Sequence, residues 1–231
     1  MEIQILQLLE GAERARGLTV IIDVLRAFSL ECFLASWGAA ELRPVGTLEE
    51  AFSWRKRDPG VLLVGERGGA KCEGFDFGNS PCSIPPEAVR GRRVVHTTSA
   101  GTQGLTRAVH AEELLVGSLV NAAAVAAYIR RRQPDAVSLV AMGNAGVREA
   151  PEYLLCAEYI RALVLDQSIP DLDARIRALR WHGGEHFFNP TTQQIYPEPD
   201  FWLCTKRDQF PFVLRAERDE LSFVMKQVKP L

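Results

Sequence analysis

Apolar and polar positions change register in blocks along this chain: short β-branched runs take turns with longer stretches of helical period. Residues 1–7 alternate apolar and polar and predict a short first strand, with a polar connection over 10–16. Leu18-Thr19-Val20-Ile21-Ile22 predicts a buried strand ending at Asp23. A helix is predicted over 29–37, then a strand over 40–45. Thr47 caps the next helix, and Glu50, three residues on, completes a capping box. That helix stops near Asp58-Pro59-Gly60, before the buried run Val61-Leu62-Leu63-Val64.

The same order returns after Pro85-Pro86: strand over 93–96, helix over 105–110, strand over 113–116. A helix capped by Ser118 or Asn121 then runs to Arg132, and a strand covers 137–142. Residues 40–47 and 111–118 superpose 71 residues apart, as a duplicated β-α-β-α-β unit of half-domain size requires. Alternating strands and helices predict an α/β protein of three layers, α/β/α, around a largely parallel or mixed sheet. The expected organisation is one domain over 1–231, with similar halves near 1–84 and 85–165 and an extension over 166–231. Pro151 opens a helix to Leu165 with Leu154, Leu155, Ile160, Leu163 and Val164 as its apolar stripe. A shorter helix is predicted over 171–179, and residues 201–204 and 212–214 read as edge strands.

Composition narrows the class. A net charge of −2 argues against general nucleic-acid binding, so any anion must be held by local placement of Arg and Lys. Residues 1–16 lack the basic start and apolar core of a signal peptide, and no apolar stretch approaches the ~18 residues of a membrane span. Cys32, Cys72, Cys82, Cys156 and Cys204 are odd in number and form no C-x-x-C pair, which fits reduced thiols in the cytoplasm. Cys156 falls on the apolar side of its helix and reads as core.

Candidate chemistry concentrates at strand ends. The loop from Gly65 to Pro81 mixes glycines, both signs of charge, Asn and Ser. Its Asp76 suits a hard cation, and Arg67 and Lys71 suit phosphate or sulfonate. Asp23 follows a buried strand, where open α/β sheets place ligand groups, and Arg26 lies three residues on. Thr97-Thr98-Ser99-Ala100-Gly101-Thr102 sets hydroxyls and small residues before a helix, a ready anion site. Asp23 with Arg26, Asp76 with Asn79, and this cluster are expected on one sheet edge. There is no G-x-x-x-x-G-K-[ST] and no G-x-G-x-x-G, which argues against a nucleotide cofactor. His182-Gly183-Gly184-Glu185-His186 spells a metalloprotease pattern, but two adjacent glycines cost roughly 2 kcal/mol of helix propensity, so a loop is expected there.

Asp23-Val24-Leu25-Arg26-Ala27, Gly65-Glu66-Arg67, the block from Gly74 to Pro81, Thr97-Thr98-x-x-Gly101-Thr102 and Gly117-Ser118-x-x-Asn121-Ala122 resemble the signature blocks of the 2-phosphosulfolactate phosphatases, the ComB-type family. The resemblance runs in order over about residues 18–160, with a weaker match at Cys204-x-x-x-Asp208-x-Phe210. It implies a magnesium-dependent phosphatase releasing phosphate from 2-phospho-3-sulfolactate, on the route to coenzyme M. Asp76 and Asp23 are then the first carboxylates at the metal, with Glu66 and Glu152 in reserve. Arg26 and Arg67 would bind phosphate and the sulfonate or carboxylate. Thr97, Thr98, Ser99 and Thr102 would donate to an anion, with Gly101, Asn79, Ser80 and Asn121 completing the binding set. The nucleophile is either Asp23 or a metal-bound water. Two departures stand out: Phe28 where the family has Thr, and Tyr153 where its usual Glu-Asp pair has Asp. A homologue that lost turnover and only binds small anions is the competing reading. A homodimer is expected only on the general frequency of twofold assemblies.

Overall fold

The computed structural model describes residues 1–230. The chain runs β1 (Glu2–Gln7), α1 (Leu8–Arg14), β2 (Gly17–Ile22), α2 (Ala27–Ser36), β3 (Glu41–Pro44), α3 (Leu48–Arg57), β4 (Leu62–Arg67) and β5 (Ala70–Lys71). It continues with α4 (Pro86–Val89), β6 (Arg93–Thr97), α5 (Gly101–Arg107), β7 (Ala111–Gly117), α6 (Ala122–Arg132), β8 (Ala136–Ala141) and α7 (Pro151–Val164). Last come α8 (Leu172–Ala178), α9 (Glu198–Thr205), β9 (Val213–Arg218) and β10 (Phe223–Val228). The capping box at Thr47 forms as its spacing requires: the Glu50 N–H donates to Thr47 Oγ1 at 3.1 Å, and Glu50 Oε2 accepts the Thr47 N–H at 3.1 Å.

Among the described residues the strands form one mixed sheet in the order β1-β8-β2-β7-β9-β10-β3-β6-β4-β5. β1, β8, β2 and β7 run parallel, and so do β3, β6 and β4. The β9–β10 hairpin stands between these blocks and pairs antiparallel with β7 on one side and β3 on the other. Residues 212–214, expected at an edge, therefore open a strand in mid-sheet. Two other expectations are corrected: residues 201–204 lie in helix α9, and the stretch 10–16 mostly lies in helix α1. Pro197 and Pro199 at its start pre-set the turn of α9, which outweighs the β preference of Phe and Trp.

Outward from the hairpin the order is β7, β2, β8 on one side and β3, β6, β4 on the other. These are the middle, first and third strands of the two β-α-β-α-β stretches, with the first strands exchanged. The sheet accordingly does not divide at residue 84.

Strand alternation sorts side chains into three cores. Ile21, Val116, Leu214, Met225, Val94 and Leu62, one from each of six strands, share a single core with α2 and α5. On the opposite face Val20, Leu115 and Leu139 pack under α6 and α7, while Leu63 and Val95 pack under α3. Helices on both faces complete the three layers. Cys156 is buried in the α6/α7 core. No helix among the described residues is long and apolar enough to cross a membrane.

Both blocks lean on the hairpin, so its apolar contacts should control global stability. Leu214→Ala, at a position 1% exposed, should cost about 2–5 kcal/mol. In a chain of this length that lowers Tm by roughly 5–15 °C. Removal of residues 212–231 should abolish the cooperative thermal transition altogether; a truncated chain melting within a few degrees of the full one would refute the role given to the hairpin.

Candidate active site

The two parallel blocks run antiparallel to one another, since direction reverses three times between them: at each border of the hairpin and once within it. In a flat sheet their carboxyl ends would lie on opposite edges. Sheets twist by about 20–25° per strand, and β2 and β6 are five positions apart. The accumulated turn is about a right angle, and the strand ends meet. Gly101, at the start of α5, lies so close to the end of β2 that a Cβ there would sit 2.9 Å from Asp23 Oδ2. Loops after β2, β4, β6 and β8 thus enclose one cavity of about 520 Å³, roofed in part by residues 183–196.

Carboxylates dominate its floor. Asp23 accepts the Ala27 N–H at 2.9 Å and the Tyr153 hydroxyl at 3.4 Å, both on Oδ1. Burial pushes its carboxyl up to about 7, helped by the charge of Glu66. Glu152, in the first turn of α7, is also pushed up to about 7, first by burial and then by Asp23. Its Oε2 is buried with no hydrogen-bond partner. Glu66 differs: Oε1 accepts the Ser99 N–H at 2.7 Å, while Oε2 accepts the Gly69 N–H at 2.6 Å and the Ser99 hydroxyl at 3.2 Å. Its carboxylate ties the β4 loop to the β6 loop.

Arg26 is buried at the cavity wall. Nη1 donates to Asp200 Oδ2 at 2.8 Å and to the Ile195 carbonyl at 2.9 Å, and Nη2 donates to the Gly69 carbonyl at 3.3 Å. The rings of Tyr196 and Phe187 flank the guanidinium at 5.1 and 5.6 Å. Arg26 is thus a strap holding α9 and the 195 region against the β4 loop, with its charge matched by Asp200. Tyr153 donates to the Leu25 carbonyl at 3.1 Å besides reaching Asp23. Burial, then the charge of Asp23, pushes the phenol well above its ordinary value.

Of the residues expected from sequence, the cavity gathers Asp23, Arg26, Glu66, Asn79, Thr98, Ser99 and Glu152. Others stand elsewhere for clear reasons. Asp76 runs beside β4, where it pairs with Arg55 of α3 and accepts the Leu63 N–H at 2.8 Å. Arg67 points to the other side of its strand from Glu66, as alternation demands, and donates to Thr97 Oγ1 at 2.9 Å, which also engages Thr97. Ser80 pairs with Ser83 at 2.8 Å. Thr102 accepts the Thr98 N–H at 2.9 Å and closes the turn. Asn121 accepts the Ser118 N–H at 2.9 Å as a buried cap. Gly101 contributes close approach, not a ligand group.

Sequence reasoning missed Arg148, Tyr153 as a wall residue, His186 and Tyr196. Arg148 is exposed on the loop after β8, with no carboxylate within ion-pair distance among the described residues. Its position after a predicted strand was the available signal. His186 and Tyr196 arrive from the C-terminal third, and no local pattern announces them. The His182–His186 pattern spans a glycine turn and a short 3₁₀ segment, and of its two histidines His186 alone lines the cavity.

Comparison with known proteins bears on this geometry. The family described as 2-phosphosulpholactate phosphatase matches residues 3–218. The chain belongs to that family. A relative from Caldicellulosiruptor saccharolyticus, named probable 2-phosphosulfolactate phosphatase, is 40% identical over 157 residues, 66% of this chain and 64% of the relative. One of the same name from Deinococcus radiodurans is 40% identical over 169 residues, 71% of this chain and 70% of the relative. A third, from Bacillus subtilis, is 26% identical over 204 residues, 87% and 88% of the two chains. The matched stretch spans just under two thirds of the first relative's length. Asp23, Glu66 and Ser99 fall within the matched range and line one cavity.

Two buried carboxyls held near 7 make the metal-free protein's stability depend on pH. Both have folded values raised above the ordinary ones of 3.8 and 4.5, so their stabilising contribution is complete below about 4 and is lost as pH rises through 7. For Asp23 the loss is worth about 4 kcal/mol, for Glu152 about 3 kcal/mol. In chelator, Tm should fall between pH 5 and 8, and Glu152→Gln should raise Tm by several degrees at pH 8 but not at pH 4. A flat Tm profile over that range, identical in both proteins, would show that the carboxyls are not crowded.

Proposed function

We propose that this protein is a phosphoric monoester hydrolase acting on 2-phospho-3-sulfolactate or a closely related small phosphorylated hydroxy acid, with magnesium as cofactor. Family membership supports the reaction class. The observation that carries the reading is the convergence of Asp23, Glu152 and Glu66 at the strand ends, beside free N–H groups and a rim arginine.

The donor set suits a hard cation. Glu152 Oε2 lacks any partner, and Asp23 and Glu152 repel each other's charge. Among the described residues no three His, Cys, Asp or Glu side chains converge to form a complete site. Magnesium keeps several waters and needs only one or two carboxylates, so Asp23 and Glu152 would hold it together with water and substrate oxygens. When bound it would neutralise charge on the phosphoryl group.

The chain's own groups do the rest. α7 starts at Ala150 without a side-chain cap, so the amide end of a 14-residue helix faces the cavity with its positive dipole end. Arg148 stands at the rim for the substrate's second anionic group. Ser99, held by Glu66, fixes the turn that meets the phosphate. Asp23, fixed by the Ala27 N–H, would be a charged ligand of the cation and would place the attacking water beside it. Tyr153 orients that carboxyl through Oδ1.

Phosphate release from 2-phospho-3-sulfolactate should require magnesium, and magnesium should raise Tm at pH 8 in the native chain more than in Asp23→Asn. Asp23→Asn should lower kcat at least a hundredfold. Asp76→Asn should leave kcat/KM within about twofold and act on stability instead, through Arg55 and Leu63. The reverse ranking of the two variants would move the metal site to the 74–81 loop. Phosphate binding without release by the native chain would mark a small-anion binding homologue.

A further inference from the structure

A buried polar chain lies behind the cavity and has no part in the assignment above. Glu31 sits on α2, inside the core shared by both blocks, and is fully buried. His96 is on β6, on the same inner side, and is also fully buried. His96 Nδ1 lies 2.8 Å from Glu31 Oε1, and Nε2 lies 3.1 Å from Asn79 Oδ1. Asn79 is 4% exposed and lines the cavity. The other Glu31 oxygen has no hydrogen-bond partner, so His96 alone holds this carboxylate.

Donor logic fixes the order. Glu31 and His96 are fully buried with only each other as charge partners, so the pair is net neutral, as imidazolium with carboxylate or imidazole with carboxylic acid. In either form Nε2 carries a hydrogen, and it donates to the Asn79 carbonyl oxygen, which only accepts. With Oδ1 turned inward, the Nδ2 amide group of Asn79 has no protein acceptor and is left for the cavity. We infer that Glu31 and His96 are positioning residues that set the Asn79 amide with its N–H groups toward the bound phosphate oxygens. A lone Asn would present either end of its amide; anchoring to a donor makes it a donor toward the ligand. This deepens the phosphatase reading and rests on it for the identity of the anion.

The test uses the full-length chain with inorganic phosphate as the probe. Glu31→Leu combined with His96→Leu removes both partners together, which avoids the cost of one stranded buried charge. The Asn79 side-chain amide signal, assigned by its loss in Asn79→Ala, should shift on adding phosphate in the native chain and lose that response in the double variant. Phosphate release should fall about ten- to hundredfold in kcat/KM, the scale of one hydrogen bond to a charged group. In an Asn79→Ala background the same double change should cost almost nothing further. His96→Gln, which keeps an N–H donor, should recover much of the loss. A folded double variant with native kcat/KM and a native amide response overturns the inference. So does a loss that persists undiminished without Asn79, or an Asn79 amide indifferent to phosphate in the native chain. A native chain whose Asn79 amide responds to phosphate but which releases none would instead fail the phosphatase reading, leaving the amide response to decide the positioning role.

Discussion

The antiparallel hairpin at the centre of the sheet is the constraint on which the site depends. It joins two parallel blocks whose strands would otherwise point their carboxyl ends apart, and the sheet's own twist must bring those ends together. The seam is uneven: β9 pairs with β7 over Leu114, Leu115 and Val116, whereas β10 meets β3 in register only at Met225 and Leu42. Small changes in twist at the narrow seam move the β6 loop relative to Asp23, because α5 carries Gly101 against that carboxylate. The last strands of the chain therefore set the geometry of a cavity lined mainly by residues 23–153. Such pairing joins residues far apart in sequence, which slows folding.

The site itself works against stability. Asp23 and Glu152 are buried side by side, and burial plus mutual charge favours their protonated forms. Groups with displaced proton affinity in a cleft are a mark of function. The neighbouring charges are handled differently. Glu66 spends both oxygens on Gly69 and Ser99, and Arg26 is neutralised by Asp200. Two ion-bearing residues thus serve as fasteners for loops, which leaves Asp23 and Glu152 as the carboxylates short of partners.

Much of this was legible in the sequence, and the misses share a cause. Strands closing near Asp23, Val64 and His96 followed from apolar runs that stop at polar residues, and the Thr47 capping box followed from spacing alone. Asp76 and Arg67 were misjudged because adjacency in a signature block says nothing about facing. Glu66 and Arg67 are neighbours that a strand must send to opposite sides, and Asp76 lies beside the strand that its loop leaves. Residues 212–214 read as an edge because the partner of β9, β7, is roughly 100 residues away in sequence, and β10, which no pattern announced, pairs with β3 roughly 180 residues away. His186 and Tyr196 were invisible for the same reason: the Arg26–Asp200 ion pair that brings their segment over the cavity is a contact between residues 174 positions apart.

The exchanged first strands bring unlike chemistry from the two β-α-β-α-β stretches into one cavity. β2 and β6 occupy matching places on either side of the hairpin, yet each is seated beside the other unit's middle strand. Neither unit could close the site alone. The loop after β2 keeps a buried carboxylate and an arginine strap, Asp23 and Arg26. The loop after β6 carries no ionisable group between Thr97 and Arg107 and offers backbone N–H groups and hydroxyls through Thr98 and Ser99. One loop thus supplies charge that can hold a cation or a proton, and the other supplies donors that suit an anion. Two copies of the carboxylate loop would crowd further negative charge into the cavity, and two copies of the hydroxyl loop would leave that wall without a carboxylate. The unlike loops give the cavity a carboxylate side and a side of hydroxyls and backbone N–H groups.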